Sequence, residues 1–154
     1  MRLPPRWKPA GLLLIAGALL GGGCQTSPPG SGVPHWVEHT VKHGPPRRDM
    51  FEICVVALYR SDFPPGDRDE VTGRVVSGWD VHLHPWAGQG RRAQAVIQIE
   101  DQGGGTYGLK VRVKVQSNQE KHRTLELAAA EWEDDLDDVS RARLVMQQVL
   151  AQLR

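Results

Sequence analysis

Tyr107-Gly-Leu-Lys-Val-Arg-Val-Lys-Val-Gln116 decides the fold. Tyr107, Leu109, Val111, Val113 and Val115 alternate with Gly108, Lys110, Arg112, Lys114 and Gln116. A side-chain period of two belongs to a strand with one dry face and one wet face. Just upstream, Asp101-Gln-Gly-Gly-Gly105 reads as a tight turn, because glycine adopts the positive φ that such turns need. The turn leads back to a second strand at residues 93–100, where Ala95, Val96, Ile97 and Ile99 mix with Gln94 and Gln98. A third alternating stretch, residues 74–84, sets Val75, Ser77, Trp79, Val81 and Leu83 inward against Asp80, His82 and His84 outward.

Helical patterns flank these strands. Asp49 stands three residues before Glu52, the spacing of a capping box, and residues 50–59 are apolar on most sides. At the other end Val139, Ala142, Val145, Met146, Val149, Leu150 and Leu153 recur at steps of three and four, behind Asp137 and Asp138 where negative charge favours a helix start. The expected fold class is α+β: one domain over residues 49–154, an antiparallel sheet of three to four strands with the N-terminal and C-terminal helices on one face. Residues 124–127 either extend the sheet or open a loop. Residues 131–138 are too acidic to pack except through Trp132 and Leu136.

The segment ahead of the domain has a different character. Arg2, Arg6 and Lys8 precede an uncharged run centred on Gly11-Leu-Leu-Leu-Ile-Ala-Gly-Ala-Leu-Leu20, which ends at Cys24. This is the order of an export signal, and the run is shorter than the roughly 20 residues a membrane-crossing helix needs. Leu20-Gly-Gly-Gly-Cys24 resembles the lipobox of bacterial lipoproteins, although Gly21 stands where the common pattern has a branched residue. The resemblance implies that residues 1–23 are removed, that Cys24 carries lipid, and that the chain is held in the cell envelope. Gln25 lacks the acidic side chain that retains some lipoproteins at the inner membrane, so the expected place is the outer membrane, facing the periplasm. Residues 24–48 then form a lipidated tether rich in Pro and Gly. Residues 35–43 form either a short helix or irregular chain before Gly44-Pro-Pro46.

Losing residues 1–23 removes three of the 19 Lys and Arg and none of the 18 Asp and Glu, which leaves a formal net charge of −2. Such a body offers no general attraction to nucleic acid. With Cys24 lipidated, Cys54 has no internal partner, and its apolar neighbours favour an inert core thiol over a nucleophile.

The candidate binding face is the wet side of the sheet: Lys110, Arg112 and Lys114, with His82 and His84 beside them. The bland reading of the bases is a solvated strand face. His35, His39 and His43 at steps of four, and His82 with His84, raise a metal hypothesis, but no carboxylate or thiolate completes a known ligand spacing, so no metal or other cofactor is expected. No nucleophile elbow or phosphate-cradling loop is present, and the reading is non-catalytic. Trp36 and Trp86 each neighbour His and Pro, and either form an exposed aromatic patch or seal the tether's end.

Residues 49–59 running into Phe63-Pro-Pro-Gly-Asp-Arg-Asp-Glu-Val-Thr-Gly-Arg-Val-Val-Ser-Gly-Trp79, behind a lipidated tether, resemble the repeated domain of the component C lipoprotein of the outer-membrane β-barrel assembly machine. The resemblance covers residues 49–117 and the last helix. It implies a helix-grip-like domain without enzymatic activity that binds another envelope protein, and it carries no site residue across. The alternative is a periplasm-facing carrier of a small ligand or metal that uses the surface histidines.

Overall fold

A hairpin of two 13-residue strands forms the spine of the computed structural model, which describes residues 33–154. The expected signal segment, Cys24 and the start of the expected tether therefore lie outside the described residues. In chain order the elements are β1 (Val37–Val41), α1 (Arg47–Arg60), β2 (Asp67–Asp69), β3 (Arg74–Val76), β4 (Asp80–His82), β5 (Arg91–Gly103), β6 (Thr106–Asn118), β7 (Trp132–Asp134) and α2 (Val139–Gln152). The class is α+β, with two helices and a seven-stranded antiparallel sheet in the order β1-β6-β5-β3-β2; β4 also pairs with β5, and β7 with β6.

The register across the hairpin sets Ala93 opposite Val115, Ala95 opposite Val113, Ile97 opposite Val111 and Ile99 opposite Leu109. Cross-strand partners share a face, so this row forms one dry surface. A single core joins it to Met50, Phe51, Cys54, Ala57 and Leu58 of α1 and to Ala142, Val145, Met146 and Val149 of α2. Gly103, Gly104 and Gly105 all have positive φ at the hairpin tip, as the glycine run requires.

Four expectations are corrected, and the sheet has more strands than the three to four expected. The first concerns residues 35–43: neither helix nor loop, they contain β1, with Val37 opposite Val111 and Val41 opposite Tyr107. Val37 and Val41 satisfy the pattern of an edge strand once β6 offers a free edge, and a nine-residue segment stopped by Gly-Pro-Pro is too short to hold a helix alone. Secondly, α1 starts at Arg47 behind Pro46, and no side chain caps it. Proline's fixed φ begins the helix two residues before the expected cap. Asp49 then lies inside the first turn, and Glu52 pairs with Arg68.

Thirdly, residues 74–84 are two strands. Val76 pairs with Val96 and Asp80 with Ala93, so four steps on one chain match three on β5. The extra residue is a bulge that exchanges the faces. Ser77 holds it: its N–H donates to Ala95 O at 2.9 Å, and its Oγ accepts the Ala95 N–H at 2.9 Å. Pro64-Pro-Gly66 packs against the bulge, and a Cβ on Gly66 would lie 2.2 Å from Val76 O. Val75 therefore faces the core, whereas Asp80 and His82 of β4 take over that side and Trp79 goes outward. Finally, the acidic segment contributes β7 and Trp132 packs, but Leu136 stands exposed.

Candidate functional site

The outer face of the sheet carries the expected basic row, and each base meets an acid. Lys110 Nζ lies 3.0 Å from Glu100 and Lys114 Nζ 3.2 Å from Asp134. Arg112 clamps Asp137 with both Nε (2.7 Å) and a terminal nitrogen (3.0 Å). The Asp137 side chain is only 4% exposed and also accepts the His35 N–H at 2.8 Å, so it fixes the point where the chain enters the sheet. Gln116 donates to Asp134, and this bond holds the Asp134 carboxyl below the usual carboxylate range, with Lys114 adding to the effect. The Glu100 hydrogen bond raises Lys110 in the same way. Each base of the row thus has an acid partner, and the more exposed of these pairs contribute little each.

Beside this row, the Arg92 guanidinium lies between two indoles, 4.2 Å from the Trp79 ring and 4.6 Å from that of Trp132, while its Nε donates to Gln116. Partial burial pulls the Arg92 pKa down. The stack fastens the bulge and β7 across the outer face.

His82 and His84 do not join the bases. His82 lies on the helix side of the sheet, opposite Arg91, with Nε2 2.9 Å from Asp80 Oδ1. Asp80 Oδ2 in turn holds Arg141 of α2 at 2.9 Å, and Arg141 stacks over Phe63. This group borders a cavity of about 710 Å³ at the start of α2, whose lining includes His82, Arg91, Asp135, Leu136 and Ser140. Asp138 caps α2 by accepting the Arg141 N–H. His84 follows β4, and its Nδ1 accepts the Trp86 N–H at 3.2 Å. No group of three or more His, Cys, Asp or Glu could hold a metal among the described residues. His39 lies in β1, where a step of four residues spans about 13 Å and removes the helical spacing on which the first histidine set depended.

Cys54 is buried in the core, and burial pushes its thiol up to about 12, which leaves no thiolate at neutral pH.

Sequence reasoning missed a groove of about 330 Å³ between α1 and β3, with Val55, Leu58 and Tyr59 on one wall and Phe63, Pro64, Pro65 and Val75 around the floor. Arg68 of β2 also lines it and pairs with Glu52 and Glu70. Val55, Val56 and Tyr59 are exposed on α1, and β2 is the free end of the sheet order. The signal was present in the sequence as a helix apolar on too many sides.

No known protein family and no curated protein matches the chain.

Proposed function

We propose that the protein is a lipid-anchored, non-catalytic module of the cell envelope that binds another envelope protein, held by Cys24 to the outer membrane and facing the periplasm. The α1 groove carries the binding part of this reading. It combines exposed apolar walls with an adjacent free strand edge, the pairing used when an extended segment adds to a sheet and seats alternate side chains in a pocket. Its volume suits one or two large apolar side chains, and the partner chemistry is therefore an extended, apolar-rich stretch of protein. Both helices would cover one face in helix-grip fashion, which leaves this edge available. The inert Cys54 and the compensated charges agree with a non-catalytic role.

Mass spectrometry and membrane fractionation of the native protein beside a Cys24→Ala variant test the anchor. A lipid mass on Cys24 in the outer-membrane fraction is the expected result, and a soluble, unmodified chain would overturn it. For the groove, a photo-reactive residue at Tyr59 should cross-link one envelope protein reproducibly. Val55→Asp should abolish that adduct without unfolding the domain, and an adduct indifferent to Val55→Asp would sink the groove.

The α2 cavity favours a second reading, a carrier of a small polar ligand. His82 borders that cavity, so the carrier reading requires that ligand binding weaken in His82→Ala while the Tyr59 adduct is unaffected.

A further inference from the structure

One end of the molecule carries large apolar side chains that neither the α2 cavity nor the α1 groove uses. β5 begins and β6 ends there, and two loops project beyond them: residues 83–90 and residues 119–131. Trp86 on the first loop is 69% exposed, and Leu125 and Leu127 on the second are 61% and 56% exposed. A lone exposed leucine means little on a protein surface, but three such side chains on two neighbouring loops are a patch.

The loops are built, not slack. Asn118, 1% exposed, ties both to the sheet. Its backbone carbonyl accepts the Gly88 N–H at 2.9 Å, and its N–H donates to Gly90 O at 2.8 Å. Its side-chain oxygen accepts the N–H groups of Glu120 and Glu131, both at 3.0 Å, and its Nδ2 donates to Thr124 O at 3.3 Å. Thr124 Oγ1 then bonds Pro85 O at 3.1 Å, which brings the residues before Leu125 and before Trp86 together. A side chain placed on Gly88 would meet nothing within 4 Å, so the loop is open to solvent at that point. Lys121 and Arg123 precede the leucines, and Glu126, which stands between Leu125 and Leu127, lies 3.7 Å from Arg123.

The path of the chain picks the occupant. β1 runs antiparallel to β6 from Val37 opposite Val111 to Val41 opposite Tyr107, so the residues before Val37 come from the direction of Asn118. His35, bonded to Asp137 beside Val113, lies on that path. Cys24 is 11 residues before His35, a length that spans at most about 40 Å. A membrane holding Cys24 therefore lies within that reach of His35, and the end of the molecule from which the chain enters bears Trp86, Leu125 and Leu127. An exposed tryptophan and two leucines on adjacent loops suit the interface of a bilayer through their apolar surface, not through charge.

We infer that the two loops form a membrane-contacting tip which inserts Trp86, Leu125 and Leu127 into the lipid interface, so that the domain lies on the bilayer with the α1 groove turned to the side. The occupant is a lipid surface; the direction of approach rests on the anchored reading, whereas the tip itself does not.

The test uses the full-length protein purified from its native membrane and placed in vesicles of phosphatidylethanolamine and phosphatidylglycerol with brominated acyl chains, which quench tryptophan on contact. The difference between this protein and a Trp86→Phe variant reads Trp86 alone. At least about half of the Trp86 emission should be quenched, and a Leu125→Ser, Leu127→Ser variant should recover most of it while leaving the circular dichroism unchanged. An unquenched Trp86 overturns the tip, and so does an unquenched Trp86 accompanied by a protein adduct at Leu125, which would assign the patch to a protein partner. The mass of Cys24 in the same sample keeps the two readings apart: quenching without lipid sinks the anchor and keeps the tip, and lipid without quenching does the reverse.

Discussion

The two faces of the β5–β6 hairpin use the same backbone and opposite chemistry. The buried face is a row of alanine, valine, isoleucine and leucine with almost no water contact. The outer face is a row of Lys110, Arg112, Lys114, Arg92 and Gln116, each engaged with an acid, an amide or an indole. Burial on the first face acts without direction and is nearly independent of salt, whereas pairing on the second depends on geometry, salt and pH. The dry face should therefore dominate stability and the outer face should set which edge segments stay attached.

The widest gap between the faces should appear in Ile97→Ala, which leaves a cavity at a fully buried position. A loss of about 2–5 kcal/mol in denaturant unfolding is expected, and the value should hold from low to high salt. A loss below that of the outer-face variants would reverse the ranking. Asp137→Ala should come next, because it strands the partly buried Arg112 and frees the His35 N–H. About 2–3 kcal/mol is expected, less than for a fully dry pair, together with faster amide exchange in β1. Arg92→Ala should cost about 1–2 kcal/mol and shift tryptophan fluorescence as Trp79 and Trp132 lose their shared cation. Lys114→Ala, at an exposed pair, should fall below about 0.5 kcal/mol in a salt titration.

The smallest expected effect is a pH slope. Asp134 has its folded pKa depressed by Gln116, so the stability it contributes is present above the unfolded pKa and is lost as pH falls through the folded one. The outer face should thus weaken below about pH 4. Asp134→Asn should flatten that slope, while a slope that is unchanged would place the acid sensitivity elsewhere.

These faces were legible to different depths. The alternation of Tyr107, Leu109, Val111, Val113 and Val115 with Lys110, Arg112 and Lys114 gave both faces of β6, since a period of two is local geometry. The closing helix was legible for the same reason at its own period. Residues 74–84 misled because Ser77-Gly-Trp79 looks like continued alternation, and the bulge exists only where Ala95 and Pro64 meet it. β1 was hidden because an edge strand of five residues has no pattern strong enough to stand without its neighbour. The row of bases was found, but the acids that compensate it come from 100, 134 and 137, and nothing local announces those pairings.

By itself the sequence determined what each segment can do: the period of the strands, the glycine turn, the two apolar helix faces, the order of charged, uncharged and Cys24 segments at the start. Those properties depend on a few bonded neighbours. Tertiary structure alone decided which strand lies beside which, where β3 hands its inward face to β4, which acid reaches each base, and that Asn118 ties residues 88 and 90 of one loop to residues 120, 124 and 131 of another. Each of those outcomes is a contact between residues far apart in sequence, fixed only when the whole core closes at once.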